Sequence, residues 1–265
     1  MLQWRILAKH AKNFCANKNR KVYHVVSAFI AENQIALGEV CVDEKSNEIT
    51  AVPELLNLLY IDDAIITADS MSFQKKIVWK ITDQNADYYV ALKENQLYLF
   101  KGTEDYFLEF SRESEKISTS ENGHGRIETR EYFLSMDIDW LECRGDRANQ
   151  NSIGMVHSNV FEGANDSEFT RYFITSLTNI NEFAYAVRKH WFIENQFHWC
   201  LDAIFREDAA RARKDNSPLN LNVSRKTALS LLNKVKYGRL SKKRMMFKDS
   251  LNPDVLPSVL LAYKK

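Results

Sequence analysis

The sequence predicts an α/β protein built on a largely parallel sheet. Runs of β-branched and aromatic residues alternate with segments of helical periodicity, and the first hundred residues read in the order β-β-α-β-α-β. With 45% hydrophobic and 12% aromatic residues, the 265-residue chain has enough apolar side chains for a real core.

The first pair of strands is residues 22–29 (VYHVVSAF) and 35–42 (IALGEVCV), joined across the polar Glu32-Asn33-Gln34 as a hairpin. Pro53 suits the first turn of a helix, and the leucine-rich residues 53–59 follow from it. A short strand at 64–68 (AIITA) comes next. Phe73, Ile77 and Ile81 then recur at four-residue spacing within 72–82, a helical stripe, before residues 88–92 (YYVAL) return to strand. Residues 101–165 read as polar and irregular, with turn signals at Asn122-Gly123, Gly125 and Gly145 and one candidate strand near 129–134. Residues 171–177 (RYFITSL) form a further strand, and 179–207 a long helix capped by Asn179 or Asn181.

Composition removes several function classes. The four cysteines form no CxxC pair and no ligand spacing with histidine, which disfavours a zinc module or a disulfide framework and fits a reducing cytoplasm. No apolar run reaches the length of a membrane span. Neither GxGxxG nor GxxxxGK[ST] occurs, so no nucleotide cofactor is expected. Net charge is only +1, but residues 188–265 hold 17 Lys/Arg against 7 Asp/Glu. That end can neutralise phosphates, notably through Arg206, Arg211, Arg213, Lys214 and the seven basic residues of 234–248, or present a solvated face.

Two acids stand out. Asp69 follows the AIITA strand at its carboxyl end, where open α/β sheets carry ligand and catalytic groups; it either acts there or caps the next helix. Glu194 shares a stripe with Trp191, His198 and Asp202, interleaved with Ile193, Phe197, Trp199, Leu201 and Phe205. Carboxylates in so apolar a helix pair with bases or hold metal.

Six segments taken together, DEKSNEI (43–49), ITADSMSFQKKI (66–77), ADYYVALKENQ (86–96), HGRIETR (124–130), RYFITSL (171–177) and VRKHWFIENQFHWCLD (187–202), resemble insertion-sequence transposases of the H-repeat-associated group, over residues 21–232. The resemblance implies an RNase H-like mixed sheet flanked by helices, with a polar insertion between the fifth strand and the Glu-bearing helix. It implies DDE chemistry: Mg2+-dependent cleavage and strand transfer of DNA at insertion-sequence ends by a homodimer. Asp69 and Glu194 take the places of the second and third metal carboxylates. Lys93, Asn95, Gln96 and Arg188 are then expected to border DNA; Arg126 and Arg130 either do the same or form a buried salt bridge within HGRIETR. The family's first aspartate lies in a D-G-K segment ahead of 22–29, but residues 1–20 contain no aspartate and the first acid is Glu32. The expectation is a truncated or frame-disrupted copy with impaired catalysis, or a non-catalytic DNA-binding remnant. Its expected parts are a divergent segment 1–20, a core 21–100, an insertion 101–168, a Glu-bearing core 169–232 and a basic tail 233–265.

Overall fold

The computed structural model describes residues 2–10, 24–42, 48–68, 74–123, 125–141, 148–163, 165–193, 197–212, 214–235, 240–251 and 257. It divides into two compact units, one of Leu59–Arg188 and one combining Leu2–Leu58 with Lys189–Lys265.

In the second of these, β1 (Leu2–His10), β2 (His24–Ile30) and β3 (Ile35–Val42) form an antiparallel meander in the order β3-β2-β1. The β2–β3 turn uses Gln34 at φ 55°. Residues 1–20 are expected above only as a divergent segment; 2–10 are a full strand, paired from Trp4↔Ile30 to His10↔His24. Helix α1 (Glu48–Asn57) starts a turn before the leucine-rich run and carries Pro53 inside it. Its Leu55 lies over Gly38 of β3, where a Cβ would meet Leu55 Cδ1 at 3.8 Å.

Helix α5 (Ser217–Lys234) packs on the same hairpin through polar side chains. Lys226, 5% exposed, donates to Ser27 Oγ and to Glu39 Oε2, each at 2.6 Å. Ser27 and Glu39 are register partners on β2 and β3, so one ammonium ties both strands to the helix. A helical turn further on, the Ser230 hydroxyl accepts the Ala36 N–H at 3.0 Å, and Asn233 donates to the Gln34 carbonyl at 2.9 Å. Helix α6 (Lys242–Leu251) seats Met245 beside Leu232 at the end of α5.

In the unit Leu59–Arg188, β4 (Ala64–Thr67), α2 (Lys75–Asp83) and β5 (Asp87–Ala91) make a β-α-β with β4 and β5 parallel. Then follow α3 (Leu97–Phe110) and four strands: β6 (Glu115–Gly123), β7 (Arg126–Ser135), β8 (Ser152–Glu162) and β9 (Asn165–Thr175). The order is β4-β5-β9-β8-β7-β6, antiparallel from β5 onward, so the sheet is mixed and the expected parallel pairing is confined to β4 and β5. Helix α4 (Ile180–Ile193) is capped by Asn179, whose Oδ1 accepts the Asn181 and Glu182 N–H groups at 2.8 and 3.3 Å. Its Phe183, fully buried with Tyr89, Tyr132, Phe173 and Val156, fills the core above the sheet.

The segment expected to be irregular is therefore ordered: α3 occupies its start and β6, β7 and β8 most of the rest. The reason is solvent. The inner ends of β7, β8 and β9 are buried, whereas β6 and the β6–β7 and β8–β9 ends are exposed on both faces and lack the alternation that marks a half-buried strand.

Candidate functional site

Because β4 and β5 are parallel, their carboxyl ends open on one edge of the sheet, the edge at which α/β sheets carry ligands. Thr67 is level with Tyr89, and buried Ala68 continues β4 to that edge. Asp69 follows it in sequence but lies outside the described residues. Beyond the end of β5, the Leu92 N–H bonds to the Tyr172 carbonyl of β9 at 2.8 Å, which fixes where the chain leaves the sheet. Lys93 then stands exposed at the start of a 3-10 turn, Glu94–Gln96, that includes Asn95. The Gln96 N–H closes that turn on the Lys93 carbonyl at 2.9 Å. Thus Lys93, Asn95 and Gln96 follow the carboxyl end of β5.

The HGRIETR motif gives β7 a charged face. Arg126, Glu128 and Arg130 are spaced by two, so they project on the same side, and β6 presents Glu121 directly opposite Glu128. Two carboxylates in register would repel. Three guanidinium groups offset that: Arg130 pairs with Glu128 and places Nη1 3.4 Å from Glu121 Oε2, Arg126 pairs with Glu128 at 3.4 Å, and Arg188 of α4 grips Glu121. The last contact is a two-pronged one, with Arg188 Nε on Oε1 at 2.8 Å and an Nη donating to Oε2. Burial pushes the Glu121 carboxyl up, but the hydrogen bond and charge of Arg188 and the charge of Arg130 outweigh it and hold the group below the usual carboxylate range. Of the two roles open for Arg126 and Arg130, an intramolecular salt bridge is present. Its Glu128 partner lies within HGRIETR itself, as that alternative had it; Glu121 was not legible, since nothing local in the sequence links it to Arg188, 67 residues away.

Glu194 falls in 194–196, also outside the described residues. Its flanks are firmly held: Ile193, Phe197, Cys200 and Leu201 are buried with Phe29 of β2 and Leu229 of α5, the Phe29 and Phe197 rings centred 4.2 Å apart. Within the span expected as one helix to 207, Cys200–Ile204 form a π turn, where the Phe205 N–H reaches the Cys200 carbonyl at 3.1 Å, and the backbone turns away at Arg206 with φ 50°. Lys242 of α6 lies with its Nζ 3.7 Å from Cys200 Sγ. Burial pushes that thiol up despite the nearby ammonium, the environment of an unreactive cysteine. Among the described basic residues of this end, Arg206, Arg211, Lys214, Lys234, Lys243, Arg244 and Lys248 are exposed; Arg213 lies outside the described residues.

Among the described residues no group of three or more His, Cys, Asp or Glu side chains could hold a metal ion, and no helix is long and apolar enough to cross a membrane. Magnesium takes hard oxygen donors, so Asp69 and Glu194 fit it in kind. A third donor on the first strand has no counterpart, because β1 (LQWRILAKH) contains no acid.

The chain matches the Transposase DDE domain over residues 5–231. It is 36% identical over 269 residues to "Putative transposase YncI" of Escherichia coli O157:H7, covering 94% of this chain and 66% of that protein. It is likewise 36% identical over 254 residues to "H repeat-associated putative transposase YhhI" of Escherichia coli strain K12, covering 92% and 67%. Over 128 residues it is 41% identical to "H repeat-associated putative transposase YbfD" of the same strain, covering 47% and 51%. The chain spans about two thirds of the length of the first two relatives. With its mixed α/β, RNase H-like architecture, this chain belongs to the family of DDE transposase domains.

Proposed function

We propose that the chain is built for Mg2+-dependent phosphodiester cleavage and strand transfer on DNA, with Asp69 and Glu194 as the metal carboxylates. The observation that carries this reading is the parallel β4–β5 pair, at whose carboxyl edge stand buried Ala68, one residue before Asp69 in the sequence, and Lys93 after β5. The bound ion would polarise the phosphodiester and activate the attacking hydroxyl. The chain's own residues would do the rest. Asp69 and Glu194 would orient the ion, and Lys93, Asn95 and Gln96 would hold the DNA backbone beside it. The exposed cations of 206–248 would lengthen the contact, positioning DNA without reading its sequence. DNA is the partner in this reading, and a homodimer the assembly that handles two ends.

Catalysis is expected to be impaired, because the carboxylate that DDE chemistry takes from the first strand is missing from β1. That absence favours a second reading, a DNA-binding remnant without turnover. Incubating the purified chain with Mg2+ and a duplex carrying an insertion-sequence end separates the two. Slow cleavage that Asp69→Ala abolishes supports a weakened enzyme. Salt-sensitive binding with no cleavage supports the remnant. Rapid turnover would contradict the impairment, and no affinity for duplex DNA at low salt would contradict both.

A further inference from the structure

Three arginines and two glutamates meet on one face of the β6–β7 hairpin, in two layers. The inner layer, Arg130 with Glu128, is largely covered, the side chains 11% and 14% exposed. The outer layer is open: Glu121 is 45% exposed and Arg188 39%. Glu121 offers Arg188 two parallel acceptors, and its Oε2 also lies 3.4 Å from Arg130. A carboxylate held side-on by a guanidinium presents the same pair of oxygens as the two non-bridging oxygens of a phosphodiester. The carboxylate is also the component most easily moved. It belongs to β6, exposed along nearly its whole length, so turning it away uncovers no core. It faces Glu128 directly across the ladder, a like-charge contact that its departure relieves.

We infer that Glu121 occupies a phosphodiester site formed by Arg188 and Arg130, and that a phosphate of the DNA backbone displaces it on binding. This rests on the reading of DNA as the substrate. Glu121 then acts as an internal competitor: DNA must exchange one anion for another at this site. Sequence-indifferent affinity is lowered accordingly, and Arg188 stays compensated while no DNA is present.

The test is a double-mutant cycle on the full chain, reading the Kd for a fluorescein-labelled duplex at fixed low salt without metal, with thermal midpoints measured alongside. Glu121→Gln keeps the shape and removes the charge; Glu121→Ala removes the side chain and serves should the first variant fold poorly. The expected result is binding about threefold tighter in either variant, the scale of a half-exposed ion pair. Arg188→Gln is expected to weaken binding, and adding Glu121→Gln to it to give much less gain than in the parent, since no fork is left to release. Unchanged or weaker binding by both Glu121 variants, with the parent chain still binding DNA, overturns the inference and leaves Glu121 as a structural clasp. A parent chain that shows no affinity for the duplex overturns the DNA reading itself, and this inference with it.

Discussion

Lys226→Met removes an ammonium that joins α5 to both strands of the β2–β3 hairpin. Methionine fills a similar unbranched volume, so the perturbation is mainly the loss of charge and donors. What remains is a Glu39 carboxylate whose side chain is only 18% exposed and a Ser27 hydroxyl that is 7% exposed, both without the partner they have at 2.6 Å. Breaking a buried ion pair from one side costs about 3–5 kcal/mol, and the residual solvent access of Glu39 places this case at about 3. At about 2–4 °C per kcal/mol for a protein of this size, the midpoint is expected to fall by about 6–12 °C. Urea titration followed by far-ultraviolet circular dichroism reads the free energy directly, each transition being fitted separately if the two units unfold apart. Adding Glu39→Gln to Lys226→Met is expected to recover part of the loss, since the uncompensated charge disappears with it. A loss below about 1 kcal/mol for Lys226→Met, or no recovery in the double variant, would refute the assignment of a buried, energetically coupled pair.

Gly154→Ala would set a Cβ 2.4 Å from the Phe183 ring, which is fully buried and has no room to swing, so a loss of about 1–3 kcal/mol is expected in thermal melts. Gly38→Ala, whose Cβ would meet Leu55 at an ordinary 3.8 Å, is its control and is expected to be neutral or slightly stabilising. Glu121 is held below the ordinary carboxylate range in the folded chain, so its contribution to stability is complete above that range and lost as pH falls through the depressed value. The parent chain is therefore expected to lose more stability on acidification than Glu121→Gln, and identical acid melting curves would contradict this.

Much of the inner frame is legible in the sequence. β4 is buried along its length and β5 over its three central residues, so they form short β-branched or aromatic runs, and the spacing of Ile77 and Ile81 on α2 reports the face that covers the sheet. Asn179 announces the start of α4 through the chemistry of its side chain. The outer strands are not legible in this way. β6 reads as EKISTSENG, and with water on both faces nothing constrains its polar residues to alternate. β1 is hidden for another reason: it holds Arg5 and Lys9 among its apolar residues and becomes a strand by pairing with β2. The charged clusters lie furthest from view, because Lys226 with Glu39 and Arg188 with Glu121 are joined across 187 and 67 residues by strand register and helix packing. Asp69 and Glu194 were singled out from their place after a strand and on an apolar helix.

The most direct test of those two residues replaces Mg2+ with iron(II) and generates hydroxyl radicals in place with ascorbate and peroxide. If Asp69 and Glu194 hold the divalent ion, backbone cuts fall around residue 69 and around residue 194, excess Mg2+ suppresses both, and Asp69→Asn weakens both together. Cuts at one of these segments alone, or at neither, would contradict the assignment.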